Sequence, residues 1–157
     1  MKEGKPMAIK KVKIRNFKCF YGLFELELNS GLNILVGNNE TGKSTILEAI
    51  HLSLTGLYCG KGIRNELSQY LFNNKVVEAY IQSVNTGKAL PPPSILIEVY
   101  FDGSINPEFE GNGNTDHANS VEGLRFEITY NSKFDDEYSK LVASRNMHSL
   151  PIEYYEA

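Results

Sequence analysis

The stretch GNNETGKST, residues 37–45, places two glycines five positions apart and follows the second with Lys-Ser-Thr. It satisfies the pattern G-x-x-x-x-G-K-[ST] at every fixed position. The apolar run 32–36 before it predicts a strand, and residues 46–57 after it carry apolar side chains at helical spacing. A loop with this composition between a strand and a helix predicts a phosphate-binding site.

Each residue type in this loop has a physical reason in phosphate binding. Glycines at 37 and 42 let the chain turn sharply and let backbone N–H groups approach phosphate oxygens. Lys43 is expected to reach the β- and γ-phosphates and is the candidate catalytic residue, and the Ser44 hydroxyl is expected to ligate Mg²⁺. The cofactors expected from the sequence are therefore ATP and Mg²⁺, held by Gly37, Asn38, Asn39, Glu40, Thr41, Gly42, Lys43, Ser44 and Thr45.

The remaining loop residues carry narrower expectations. Asn38 and Asn39 tolerate left-handed backbone conformations, and Thr45 is expected to bond the α-phosphate. Glu40 is expected to point outward, because a carboxylate beside phosphates would repel them.

Composition limits the function classes. The 157 residues suit one domain, and a formal net charge of -3 excludes a chain that is polybasic throughout. Basic residues crowd the start of the chain, where they form either a solvated strand face or an edge that faces phosphate or DNA: Lys2, Lys5, Lys10, Lys11, Lys13, Arg15 and Lys18.

Cysteine use and hydropathy point to the cytoplasm. Cys19 and Cys59 lack the spacing of a metal site or a C-x-x-C motif, which suits a reducing compartment. No apolar run reaches the roughly 18 residues that a membrane helix needs. We therefore expect a cytoplasmic protein with no membrane partner.

Hydrophobic periodicity predicts an α/β fold with a mixed sheet and flanking helices. Pro91–Pro93 is expected to be a stiff connector, and 103–123 a mobile, exposed loop. Alternation predicts antiparallel strand pairs at 11–17 with 24–28 and at 95–101 with 124–130, and a further strand at 150–155. Apolar residues three and four apart predict helices at 46–57, 63–71, 75–84 and 135–145.

Two flanking segments resemble a known group of ATPases. The first strand ends in Ile14-Arg-Asn-Phe-Lys18, and the loop reads G-x-N-x-x-G-K-S. Both features resemble the N-terminal lobe of SMC/RecF-like, ABC-type P-loop ATPases. Within that group the chain looks most like the start of OLD-family ATP-dependent endonucleases, on the strength of LPPPSILIEVYF (90–101) and LPIEYYEA (150–157).

The resemblance implies an ATPase that acts on DNA in a longer, homo-oligomeric parent with a nuclease domain further along. It also implies that Arg15, Asn16 and Lys18 lie near the nucleotide. A Walker B segment and a serine–glycine signature are not found within 1–157, and Ile95-Leu-Ile-Glu98 is interpreted as a half-buried strand instead. The chain is thus expected to be the N-terminal part of an ABC/RecF-like ATPase domain that hydrolyses little ATP by itself.

Two other functions share the loop. A small P-loop phosphotransferase would need a lid of basic residues, whereas only scattered arginines follow the loop, such as Arg64 and Arg125. A non-catalytic assembly module would use the nucleotide only to join subunits. The sequence does not determine the DNA substrate or the biological setting, such as repair or phage defence.

Overall fold

The computed structural model describes residues 8–38, 41–102, 109–117 and 121–157. In this part of the chain the strands are β1 (Ala8–Arg15), β2 (Leu23–Glu27), β3 (Leu57–Tyr58), β4 (Lys61–Gly62), β5 (Ile95–Asp102), β6 (Glu110–Gly111), β7 (Val121–Tyr130) and β8 (Tyr155–Glu156). The α-helices are α1 (Lys43–Thr55), α2 (Ile63–Glu66), α3 (Asn74–Asn85) and α4 (Asp135–Ala143). Short 3₁₀ turns occupy Gln69–Leu71, Ser132–Phe134 and Ile152–Tyr154.

The main sheet has the strand order β2-β1-β5-β7-β6, and β8 also pairs with β7. Every pairing among the described strands of this sheet is antiparallel. Both predicted pairs are confirmed, since Lys13 lies opposite Glu25 in the hairpin and Ile97 lies opposite Phe126. The alternation of side chains therefore gives the sheet one apolar face and one largely polar face.

The hydrophobic core lies between the apolar face of the sheet and the helices. Val12 and Ile14 of β1 and Ile97 of β5 are fully buried there, in one cluster with Ala49 and Leu52 of α1. Helix α1 ends at Gly56, one residue before the predicted bound, and this glycine adopts the left-handed conformation with φ 67°. A sheet covered by helices confirms the predicted α/β class.

The predicted strand at 32–36 does not form. This segment is irregular, and Leu32, Ile34 and Val36 are 84%, 73% and 89% exposed. A strand requires a neighbouring backbone that takes up its N–H and C=O groups, and no described strand lies in register with these residues. The segment has the apolar composition of a central strand, but no described strand of the sheet forms backbone hydrogen bonds with it.

Other departures are local. The predicted helix at 63–71 is split into α2 and a 3₁₀ turn, because the backbone leaves the helical region at Leu67, with ψ 125°, and is extended at Ser68. The predicted strand at 150–155 is a 3₁₀ turn followed by the two-residue β8. Of the predicted mobile loop at 103–123, residues 103–108 and 118–120 lie outside the described residues, and 121–123 belong to β7. Among the described helices, none is both long and apolar enough to cross a bilayer.

Candidate functional site

The loop at 37–45 leads directly into the N-terminus of α1. Gly42 is the N-cap of this helix in the left-handed conformation, with φ 87°, and no side chain caps this end. The first intrahelical hydrogen bond runs from Ile46 N to Gly42 O at 2.9 Å. The N–H groups of the first helical turn thus lack intrahelical acceptors, and the positive end of the helix dipole lies at the loop. Asn39 and Glu40 lie outside the described residues.

A side chain at either Gly37 or Gly42 would crowd neighbouring side-chain atoms. A Cβ atom on Gly37 would lie 2.7 Å from Thr41 Oγ1, and one on Gly42 would lie 2.9 Å from both Cys19 Sγ and Phe20 Cζ. Any residue with a side chain at position 42 would also be strained by the positive φ. The loop conformation therefore depends on glycine at each end.

The ammonium group of Lys43 lies over the loop that precedes it. Its Nζ donates hydrogen bonds to Gly37 O and Asn38 O, both at 2.6 Å, and to Thr41 Oγ1 at 3.2 Å. Thr41 in turn donates its hydroxyl to Asn38 O at 2.8 Å. The positive charge of Lys43 thus lies beside the helix N-terminus, bonded to neutral oxygen atoms. An anion would accept stronger hydrogen bonds from this ammonium group than these neutral acceptors do.

Ser44 and Thr45 follow on the first turn of α1. Ser44 is exposed and Thr45 is half-buried, so the Ser44 hydroxyl is accessible from solvent. The nearby acid Glu48 is already paired with Lys18. In the described part of the chain, His, Cys, Asp and Glu residues do not form a group of three or more that could hold a metal ion.

The resemblance-based candidates Arg15, Asn16 and Lys18 lie at the end of β1 and bond within the protein. Arg15 Nη2 donates to Ser94 Oγ at 3.3 Å, and Asn16 Nδ2 donates to Ser94 O at 3.1 Å. Lys18 Nζ lies 2.5 Å from Glu48 Oε2 on α1. Burial lowers the pKa of Lys18, but the hydrogen bonds to Glu48 and Tyr58 outweigh it, so the pKa is raised. Of the three, Lys18 thus bonds to the helix that follows the loop. The nucleotide contacts expected of Arg15, Asn16 and Lys18 stay a prediction.

Sequence reasoning missed the two residues that pack on Gly42. Cys19 and Phe20 lie more than twenty positions before Gly42, in the turn between β1 and β2. Nothing in their spacing signals the contact, because it arises from the fold of the hairpin against α1.

Three lysines of the basic cluster at the start of the chain pair with acids within the protein, namely Lys11, Lys13 and Lys18. Lys13 is 2% exposed and pairs with Asp116 and with Glu25, the latter at 3.4 Å. Lys11 also pairs with Asp116. Burial lowers the pKa of Lys13, but the bonds and charges of Asp116 and Glu25 outweigh it and raise the pKa. Lys11 and Lys13 therefore favour the interpretation of a structural strand face over a free DNA-facing edge.

Glu98 of the Ile95-Leu-Ile-Glu segment belongs to the same charged face. It is 2% exposed and accepts hydrogen bonds from Tyr100 Oη at 2.7 Å, Thr115 Oγ1 at 2.6 Å and Thr115 N at 3.0 Å. The register places it opposite both Lys13 and Arg125. The segment is a strand, as predicted, but it is buried on both faces and not half-buried.

Comparisons with known proteins agree with this geometry. Residues 11–149 match the family described as AAA domain. The chain is 54% identical over 54 residues to structural maintenance of chromosomes protein 6 of Saccharomyces cerevisiae, covering 34% of this chain and 5% of the relative. It is 35% identical over 99 residues to the DNA replication and repair protein RecF of Clostridium botulinum, covering 62% of this chain and 25% of the relative. A RecF of Streptococcus uberis is 42% identical over 69 residues, covering 43% and 18%.

The chain thus spans a quarter or less of the length of these relatives. The similarity confirms the expected relation to SMC and RecF proteins, and it does not reach the finer OLD-family assignment. The match over 11–149 covers nearly the whole described fold, including the loop and α1. This chain belongs to the AAA domain family and is related to the SMC and RecF ATPases.

Proposed function

We propose that the chain binds ATP with Mg²⁺ at residues 37–45. The observation that carries the proposal is the loop itself, in which glycine-dependent turns, a helix N-terminus and the Lys43 ammonium group converge. These are the groups that a polyphosphate requires: unpaired N–H donors, a positive dipole end and a mobile point charge.

The chain's own residues divide the work. The N–H groups at the start of α1 bind phosphate oxygens, and Gly37 and Gly42 keep side chains out of the cradle. Lys43 exchanges its carbonyl acceptors for β- and γ-phosphate oxygens and neutralises charge that develops there. Ser44 supplies a hydroxyl to Mg²⁺ and Thr45 bonds the α-phosphate. Mg²⁺ held by the Ser44 hydroxyl would supply Lewis-acid stabilisation of phosphate charge.

The binding proposal is tested by titrating the protein with MgATP up to millimolar concentration in a calorimeter. Lys43→Ala removes charge-assisted bonds worth about 1.5–3 kcal/mol, so we expect affinity to fall by about 10- to 100-fold. Lys88→Ala, at an exposed position on the turn after α3, is the matched control and should bind as the wild type does. Equal affinity in the wild type and the Lys43 variant would refute the proposal.

We further propose that residues 1–157 form the N-terminal part of the ATPase domain and bind ATP without efficient turnover. Two observations support this. First, the apolar segment 32–36 is exposed and lacks a strand partner among the described residues. Second, the Glu98 carboxylate accepts hydrogen bonds from Tyr100 and Thr115 on the charged face of the sheet, so it is not free to activate a water molecule. Phosphate release by this chain should stay at the level of the Lys43→Ala variant, whereas a longer protein should turn over. Turnover by residues 1–157 that Lys43→Ala abolishes would contradict the proposal.

For the full-length parent we propose a homo-oligomeric, DNA-acting ATPase of the OLD type, with an endonuclease activity outside this chain. The segments 90–101 and 150–157 and the RecF and SMC relatives support it. The test is ATP-dependent cleavage of plasmid DNA by the full-length protein. ATP hydrolysis that DNA stimulates without cleavage would leave a RecF-like role, and nucleotide-driven dimerisation without hydrolysis would favour an assembly module.

A further inference from the structure

The turn after β1 connects two parts of the fold that are distant in sequence. Residues 16–20, here called the β1 corner, contain two non-glycine residues with positive φ, Asn16 at 58° and Lys18 at 49°. Such conformations are strained for residues with a side chain and persist when surrounding contacts enforce them. The corner is therefore held in place by bonds on both of its sides.

On one side the corner is fastened to the start of α3. Asn73 is 7% exposed, donates Nδ2 to Lys18 O at 2.7 Å, and caps α3 by accepting from Lys75 N at 3.1 Å. Its backbone N–H donates to Asn16 O at 2.9 Å, and Lys18 N donates to Leu71 O at 2.8 Å. These bonds fix the backbone of the corner against the segment that leads into α3.

On the other side the corner presses on the start of α1. The Cβ position of Gly42 lies 2.9 Å from Phe20 Cζ and 3.4 Å from Phe20 Cε2, so the ring packs directly on this glycine. Phe20 also stacks on Phe24, with ring centroids 4.4 Å apart and an interplanar angle of 29°. Lys18 holds α1 a turn further along through Glu48.

We propose that Phe20 is a positioning residue for the nucleotide loop, holding Gly42 in the left-handed conformation that aims the first N–H groups of α1. The inference rests on the proposed binding of MgATP at this loop. Without the ring, Gly42 is free to visit other conformations, because glycine populates both signs of φ. The loop would then pay ordering entropy on binding, which lowers affinity without the loss of a direct contact.

The test compares Phe20→Ala and Phe20→Leu with Phe24→Ala. The Phe24 variant removes the same aromatic stack but leaves the contact with Gly42. Phe20→Ala should weaken binding of both MgATP and magnesium tripolyphosphate by about tenfold, Phe20→Leu should recover most of the affinity, and Phe24→Ala should bind as the wild type does. Amide hydrogen exchange over residues 42–46 is read at Ile46, whose N–H bonds to Gly42 O at 2.9 Å. Without nucleotide it should be faster in Phe20→Ala than in the wild type, Phe20→Leu or Phe24→Ala.

The outcomes separate the two proposals. Failure of the wild type to bind either ligand refutes the proposed function, whereas unchanged exchange at 42–46 in Phe20→Ala refutes positioning by Phe20, whatever the wild type binds. A loss for MgATP without a loss for tripolyphosphate would mean that the ring contacts the base, which also overturns positioning. If Phe20→Ala does not fold, Phe20→Val, which also removes the ring, takes its place in the same exchange measurement, and wild-type exchange in Phe20→Val would overturn the inference.

Discussion

Removing Asp116 should destabilise the fold more than removing Lys13, the buried lysine that it pairs with. Lys13 is 2% exposed on its side chain, whereas Asp116 is 32% and Glu25 is 48% exposed. In Asp116→Asn the Lys13 ammonium group stays buried, with Glu25 at 3.4 Å and the Thr115 hydroxyl at 3.0 Å as its remaining partners. In Lys13→Met the acids left behind can reach water, and the apolar stem is kept.

The magnitudes follow from this asymmetry. Leaving a buried charge without any partner costs about 3–5 kcal/mol. Because Glu25 remains and Asp116 is partly exposed, we expect Asp116→Asn to lower the free energy of unfolding by about 1–3 kcal/mol. Lys13→Met should change it by less than about 1 kcal/mol, because the carboxylates of Asp116 and Glu25 are exposed enough to be hydrated without their partner. For a chain of this length, about 2–4 °C of melting temperature corresponds to 1 kcal/mol.

The assay is thermal and urea unfolding followed by circular dichroism and by tyrosine fluorescence, and coincident transitions by the two probes check two-state behaviour. Lys10→Met, at an exposed lysine of the same strand, controls for the loss of one positive charge. The double variant Lys13→Met/Asp116→Asn should be more stable than Asp116→Asn alone. Additive effects, or a larger loss for Lys13→Met than for Asp116→Asn, would refute the argument from burial.

Three further predictions concern Asp116, Gly42 and Leu52. The lysine hydrogen bonds hold the pKa of Asp116 below its ordinary value of 3.8, so its stabilisation is complete above that value and is lost as pH falls through the lowered pKa. Wild type and Asp116→Asn should therefore converge in stability in strong acid. Gly42→Ala should destabilise the chain and weaken MgATP binding more than Gly60→Ala, which has a similar φ of 78° but open space around it. A smaller loss at Gly42 would contradict the close packing there. Leu52→Ala, at a fully buried position, should cost about 2–5 kcal/mol in unfolding titrations, against little for Leu47→Ala at a position 62% exposed.

Local patterns predicted the elements that local forces decide. The alternation in β1 and β2 predicted their hairpin, and the spacing of Ile46, Ala49 and Ile50 predicted α1, because one face of each element must leave water. The candidate loop residues were predicted for the same reason, since glycine positions and a following lysine are properties of a short segment.

Prediction failed where a segment depends on a distant partner. Residues 32–36 have the composition of a central strand, yet a strand exists only when another backbone bonds to it. Residues 109–117 were expected to be mobile, yet Thr115 and Asp116 bond to Glu98 and Lys13 on the sheet. The exposure of 32–36 and the bonding of 109–117 both depend on residues distant in the chain, so neither can be predicted from the segment alone.

The sequence by itself therefore determined the α/β class, the hairpin, the helix that follows the loop, and the residues of the candidate phosphate cradle. The tertiary structure alone decided that Phe20 packs on Gly42, that Lys13 and Glu98 are buried on one charged face, and that 32–36 is exposed. The physical reason is range: periodicity and glycine placement act between neighbours in the chain, whereas these contacts require sheet register to bring together residues far apart in sequence.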